Sequence, residues 1–145
     1  MVQPSDGPRN SFAVERWRVP GQADDPRPTD LAVPVVDGVP LFETLGTDWP
    51  GLDARWVAPP SRQWLGAPEY REYGRSVVLE GSCGVAGCCG VVFRISVFSE
   101  TVVWDQPYRH GAVDISTDLR FEFDAREYEA QLRAIPEAPV ADHTR

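Results

Sequence analysis

The clearest apolar pattern of the chain lies between residues 76 and 105. Segments 76–80, 91–98 and 101–105 are rich in Val, Ile, Phe and Trp and read as three strands of an antiparallel meander. A loop of Gly and Cys joins the first two, and Ser99-Glu100 joins the last two. A two-residue turn there sets Val97 opposite Val102 and Ile95 opposite Trp104 on one face, the expected core. The same register sets Arg94 opposite Asp105 on the other face. Residues 119–123 alternate as a further strand, after which Asp124 offers a helix cap with Glu127 three residues on, as in a capping box. Phe123 and Tyr128 hold the hydrophobic-staple positions. Tyr128, Leu132 and Ile135 then recur at i, i+4 and i+7, so this helix should lay one face on the sheet until Pro136 ends it.

Upstream the pattern is weaker. Residues 35–45 read as a strand end, an Asp37-Gly38 turn and a short helix, with Pro40 in its first turn and Gly46 as its stop. Residues 47–74 carry Pro50, Pro59, Pro60 and Pro68 and read mostly as loop, with Ser61 capping a single turn ended by Gly66. Residues 12–19 are apolar at 12, 14, 17 and 19, which fits neither a strand nor a helix period well and suggests only a short docked strand. Residues 1–10 and 19–34 are thick with Pro, Asp, Gly and Arg and are expected to be mobile. The expected fold is α+β: one domain over residues 35–135, with an antiparallel β-meander sheet, the C-terminal helix packed on one face, and long Pro-rich loops over an edge. A mostly flexible segment, 1–34, precedes it and a polar tail, 136–145, follows.

Length agrees with one domain, since 145 residues supply a single core. The formal net charge is −8, which argues against nucleic acid as a partner. Every basic residue is Arg, which removes Schiff-base chemistry, a phosphate-loop lysine and any lysine general base. No apolar run approaches the ~20 residues of a membrane helix. The N-terminus, MVQPSDGPRN, has neither the basic start nor the apolar stretch of a secretory signal, so a soluble cytoplasmic protein is expected.

All three cysteines, Cys83, Cys88 and Cys89, fall in the loop 81–90. A zinc site wants four thiolate or imidazole ligands, and only His110 and His143 supply imidazole. Adjacent side chains of an extended chain point to opposite faces, so Cys88 and Cys89 share an ion only where the backbone turns. A Cys83–Cys88 disulfide would be transient in a reducing compartment. A thiol nucleophile with His110 as base lacks a third, orienting residue. The plainer reading is a structural loop with small, partly buried thiols.

Of five tryptophans, Trp104 is core by register. Trp49, Trp56 and Trp64 lie in the Pro-rich region, where they either plug the loops onto the sheet or, with Arg62, form a partner surface. The stretch 105–110 is expected to leave the sheet edge, with Asp105, Arg109 and His110 as candidate contacts and Arg109 as an anchor. No HExxH, GxSxG, glycine-rich phosphate loop or paired zinc-knuckle spacing occurs, and no carboxylate pair stands out for acid–base work.

Taken together, VDGVPL, PPSRQWLG, the segment 77–104, QPYR and FEFDAREYEAQL resemble a family of small uncharacterised bacterial proteins common in high-GC genomes. That family has a Val-Asp-Gly start, a Pro-Ser-Arg segment, a CGxxGC loop, a strand pair and a final capped helix. Cys83, Gly84, Gly87 and Cys88 match the loop motif, while Gly81 and Cys89 stand where the family often has Cys and an aromatic residue. The resemblance implies a domain over about residues 35–135 and brings no activity, cofactor or partner with it. The functional expectation is a non-catalytic, immunity- or antitoxin-like protein that binds another protein, using Arg62, Trp64, Asp105, Arg109 and His110. The alternative is a metal-binding or thiol-redox protein, with zinc as the candidate metal, working through Cys83, Cys88 and Cys89.

Overall fold

A computed structural model describes residues 9–20, 28–47, 49–80, 90–109 and 118–142. Within them the chain builds two five-stranded sheets around a shared core. The first sheet is founded on a long hairpin of β1 (Phe12–Val19) and β2 (Thr29–Val36), antiparallel from Phe12 opposite Val36 to Val19 opposite Thr29. Two short strands, β3 (Val39–Pro40) and β4 (Leu52–Asp53), add to the far edge of β2. Pro34 falls between the β4 pairing at Leu31 and Ala32 and the β3 pairing at Val35 and Val36, the stretch of that edge where no strand asks it for an N–H.

Mobility over residues 28–34 is therefore not what the chain adopts. Leu31, Ala32 and Val33 are fully buried, and β2 is covered on both faces. Ala32 and Val36 face the main core, whereas Leu31 and Val33 join Val19 in a second cluster under Trp17 and Trp49. This division explains the irregular pattern of β1. Phe12 and Val14 face the main core, Trp17 and Val19 face the second cluster, and the buried face changes sides midway along the strand.

The turn at Asp37 and Gly38 and the helix α1 (Leu41–Leu45) follow as expected, with Pro40 at the N-cap and Gly46 at φ 71° closing the last turn. Gly51 is required by proximity, because a Cβ there would stand 2.2 Å from the Ala32 carbonyl oxygen. Its own carbonyl accepts from the Glu80 N–H at 3.0 Å, which ties the first sheet to the second. After β4 comes α2 (Ala54–Val57), capped by the Asp53 side chain accepting from the Arg55 N–H.

The second sheet is the meander: β5 (Arg71–Glu72), β6 (Arg75–Leu79), β7 (Val91–Val97), β8 (Thr101–Arg109) and β9 (Arg120–Asp124), each antiparallel to the next. Arg94 pairs with Asp105, Ile95 with Trp104 and Val97 with Val102, the register expected from a tight turn at Ser99-Glu100. Ile95, Trp104 and Val102 are buried, but Val97 at the end of β7 is 40 % exposed, so the core face stops short of it. Residues 105–109 do not leave the sheet edge. They continue β8 through an irregularity at which Gln106 takes φ 49°, and Tyr108 and Arg109 pair with Val92 and Val91.

The helix α3 (Ala125–Arg133) begins at Asp124, whose side chain accepts from the Glu127 N–H at 3.0 Å. It packs against β1 of one sheet and β8 and β9 of the other. Tyr128, Leu132 and Ile135 are buried as their spacing predicts. Tyr128 lies tilted 4.4 Å from the Phe12 ring, accepts from Trp104 Nε1 at 2.9 Å and donates to the Trp64 carbonyl oxygen. Burial pushes its phenol pKa well up, so the hydroxyl stays neutral and acts as both acceptor and donor. The segment after Pro136 is not simply a tail. Following a 3-10 turn at Ile135–Glu137, β10 (Val140–Asp142) pairs parallel with Arg16, Trp17 and Arg18 of β1 and completes the first sheet.

Candidate functional site

Polar chemistry gathers where the inward face of the first sheet runs out of apolar residues. Along β1 that face reads Phe12, Val14, Arg16, Arg18, and the residues opposite the two arginines on β2 are Ala32 and Asp30. The core is dry at the Phe12 end and gives way to a cleft of about 660 Å³ at the Arg18 end. Arg16, Arg18, Asp30, Asp53 and Arg55 line it, and Ile135 closes one side. Among the described residues, the lining sets three guanidinium groups against two carboxylates, in a chain of formal charge −8.

The three arginines are held differently. Arg55 grips Asp53 with its side-on fork, Nε to Oδ1 at 3.1 Å and Nη2 to Oδ2 at 2.9 Å. Arg18 Nε donates to Asp30 Oδ1 at 3.1 Å. Arg16 is 13 % exposed in its side chain and donates through Nη1 to the Ile135 carbonyl oxygen at 2.7 Å. That carbonyl lies just past the end of α3 and also accepts from the Ala138 N–H at 3.3 Å. The remaining edge of Arg16 is poorly served: Nη2 reaches Asp30 Oδ2 only at 3.4 Å, and Nε is buried with no partner among the described residues. Charge-assisted N–H···O⁻ bonds are ordinarily about 2.7–2.9 Å.

Behind the cleft wall sits Glu80, beside Asp53 and Arg55. Burial raises its pKa, and the Asp53 carboxylate pushes the same way; a hydrogen bond from the Asp53 backbone and the Arg55 charge oppose the rise.

The residues singled out in the sequence do not come together here. Trp64 is 1 % exposed, its Nε1 donates to the Val77 carbonyl oxygen and its ring lies edge-on to Trp104, so it plugs the loop into the core and offers no surface. Arg62 is exposed on the turn just before it and lines a separate crevice beside α3. Asp105 is buried on the outer face of the second sheet, where Arg94 holds it by Nε to Oδ1 at 2.8 Å and Nη2 to Oδ2 at 2.7 Å. Arg109 ends β8 on the same strand with its Nε buried. Cys83, Cys88, Cys89, His110 and His143 lie outside the described residues, among which no three His, Cys, Asp or Glu side chains form a metal-binding group.

Arg16, Arg18 and Asp30 were discoverable only as a set. Read alone, Asp30 belongs to a stretch whose composition resembles a linker, and Arg16 and Arg18 to a segment that fits neither a strand nor a helix period well. If residues 20–28 are taken instead as the connection of a hairpin, Arg18 falls opposite Asp30 and beside Arg16 on one face, as observed. No family model, curated protein or solved structure matches the chain.

Proposed function

We propose that this chain is a binding protein whose partner docks at the cleft between β1, β2, α2 and the turn at Ile135–Glu137. The observation that carries this reading is the change of the inward β1 face from Phe12 and Val14 to Arg16 and Arg18, which opens a charged recess at the end of a dry core. Guanidinium groups fixed by packing and carboxylates supply directional recognition of a polar partner. The overall charge of −8 draws in a partner of basic character, and the cleft then selects among such partners by local fit. A small acidic protein of this kind suits an immunity- or antitoxin-like role, holding a basic protein in a one-to-one complex.

The test is affinity capture from the native host with three proteins: the natural chain, Arg18→Glu, and Arg126→Glu, which makes the same charge change on the exposed side of α3. The natural chain and the Arg126 variant should retain a common partner that the Arg18 variant loses. Capture of the same partner by Arg18→Glu, or no partner specific to the folded protein, overturns the reading.

A further inference from the structure

Within the same chain, Arg94 and Arg55 each have both arms of the Nε/Nη2 fork on two oxygens of one aspartate. Arg16 does not, although it is the most buried of the three arginine side chains that line the cleft. Its fork holds one contact at 3.4 Å and one donor without an acceptor. Other buried nitrogens also lack partners, Arg75 Nε and Arg109 Nε among them, but neither residue lines this cleft. A buried guanidinium N–H left unpaired costs free energy that an added acceptor recovers. Among the described residues, Asp30 is the carboxylate within reach, and it divides its oxygens between Arg16 and Arg18 and fits neither fork. Its side chain is 37 % exposed, so water can take the place of either contact.

Resting on the cleft being a binding site, we infer that the Nε/Nη2 edge of Arg16 is the receptor for a single carboxylate presented by the partner, and that Asp30 is the side chain displaced when it binds. The fork matches two oxygens about as far apart as those of a carboxylate, and the three guanidinium groups against two carboxylates among the described lining residues favour an anionic group. One carboxylate on an otherwise basic partner satisfies both the local charge of the cleft and the long-range field of a −8 molecule. Arg18, released from Asp30, then covers the outer oxygen.

Acetate, phosphate and chloride, titrated at equal ionic strength into ¹⁵N-labelled protein, test this directly. The arginine Nε–Hε signal of Arg16 and the amides of Thr29 and Asp30 are the reporters. Acetate should shift them saturably while chloride does not, and Asp30→Asn, which removes the competitor, should tighten acetate about fivefold. Arg16→Lys keeps the charge but loses the fork, and acetate affinity, read from the amides, should fall about tenfold or more. Acetate that acts no differently from chloride overturns the inference, as does an Asp30→Asn variant with unchanged affinity or phosphate that binds more tightly than acetate. Should acetate fail while Arg18→Glu still releases the captured partner, the docking cleft stands and only the carboxylate receptor falls. Should acetate bind while capture ignores Arg18, the receptor stands and the docking role falls.

Discussion

Arg94 and Arg16 are both sheet residues with an aspartate on the neighbouring strand, yet one pair is closed and the other is open. Arg94 lies directly opposite Asp105, so both side chains leave the sheet together and meet fork to carboxylate at 2.7 and 2.8 Å. Arg16 lies opposite Ala32 and reaches diagonally to Asp30, which Arg18 faces directly. Asp105 meets one arginine across the strands, whereas Asp30 meets two and is shared between them, which leaves donors of Arg16 to spare. The largest expected effect follows from the closed pair. Arg94→Met abandons the Asp105 carboxylate on a residue only 7 % exposed, and should destabilise the fold by about 3 kcal/mol. Urea unfolding measures it, and a loss below about 1 kcal/mol would show that the clasp is decorative.

Arg16→Met sharpens the contrast. It removes one good hydrogen bond, to the Ile135 carbonyl oxygen, while Asp30 keeps Arg18 and its access to water. The long apolar stem is retained, so the cost should be near 1.5 kcal/mol, about half that of Arg94→Met. Thermal unfolding of the two variants side by side would reverse this ranking if the Arg16 fork were satisfied in solution as fully as that of Arg94.

The same difference in register accounts for what the chain discloses by inspection. The meander is legible because its strands are dense in Val, Ile, Phe and Trp and bounded by turn residues, and a tight turn at Ser99-Glu100 fixes Arg94 against Asp105 without further information. The helix at residues 125–133 is legible because cap, staple and spacing coincide. The first sheet is not, for two physical reasons. β1 serves the main core with Phe12 and Val14 and a second cluster with Trp17 and Val19, so its apolar positions skip a beat. β2 is buried on both faces and interrupted by Pro34, so it shows no alternation and carries a residue that normally argues against a strand. The cleft inherits that obscurity, since its arginines and Asp30 belong to these two strands. Trp64 misleads in the opposite way: aromatic, loop-borne and next to Arg62, it has the composition of a binding surface but is drawn inside by Trp104 and the Val77 carbonyl.

Glu80 tests whether the cleft end of the molecule carries electrostatic strain. Its pKa is raised, first by burial and then by Asp53, so the protonated carboxyl is favoured in the folded state. The sign follows from linkage: Glu80 is least unfavourable below its unfolded value of about 4.3, and stability is lost as pH climbs through the higher folded value. Glu80→Gln removes that loss. The variant should match the natural protein at about pH 4 and exceed it at pH 7 by less than about 1 kcal/mol, the group being only partly shielded from water. Denaturant midpoints at the two pH values give the comparison, and a variant weaker at pH 7 would mean that the Asp53 backbone and Arg55 interactions outweigh burial.

Asp30→Asn should have the smallest effect on folding, and it is the one that separates the two pairs most cleanly. The carboxylate is 37 % exposed, and its contacts are single bonds at 3.1 and 3.4 Å to arginines that are 49 % and 13 % exposed. Ion pairs of that exposure contribute little, because the Coulomb gain in water-like surroundings is offset by side-chain ordering. An amide oxygen in the same place still accepts from Arg18, so the expected change is under about 0.5 kcal/mol. Asp105→Asn, in contrast, removes the buried negative charge and one of the two oxygens that accept from Arg94, and should cost several times more. If chemical unfolding gives the two asparagine variants equal losses, Asp30 is as firmly used by the fold as Asp105, and the spare donors of Arg16 lose their meaning as a place for a partner's carboxylate.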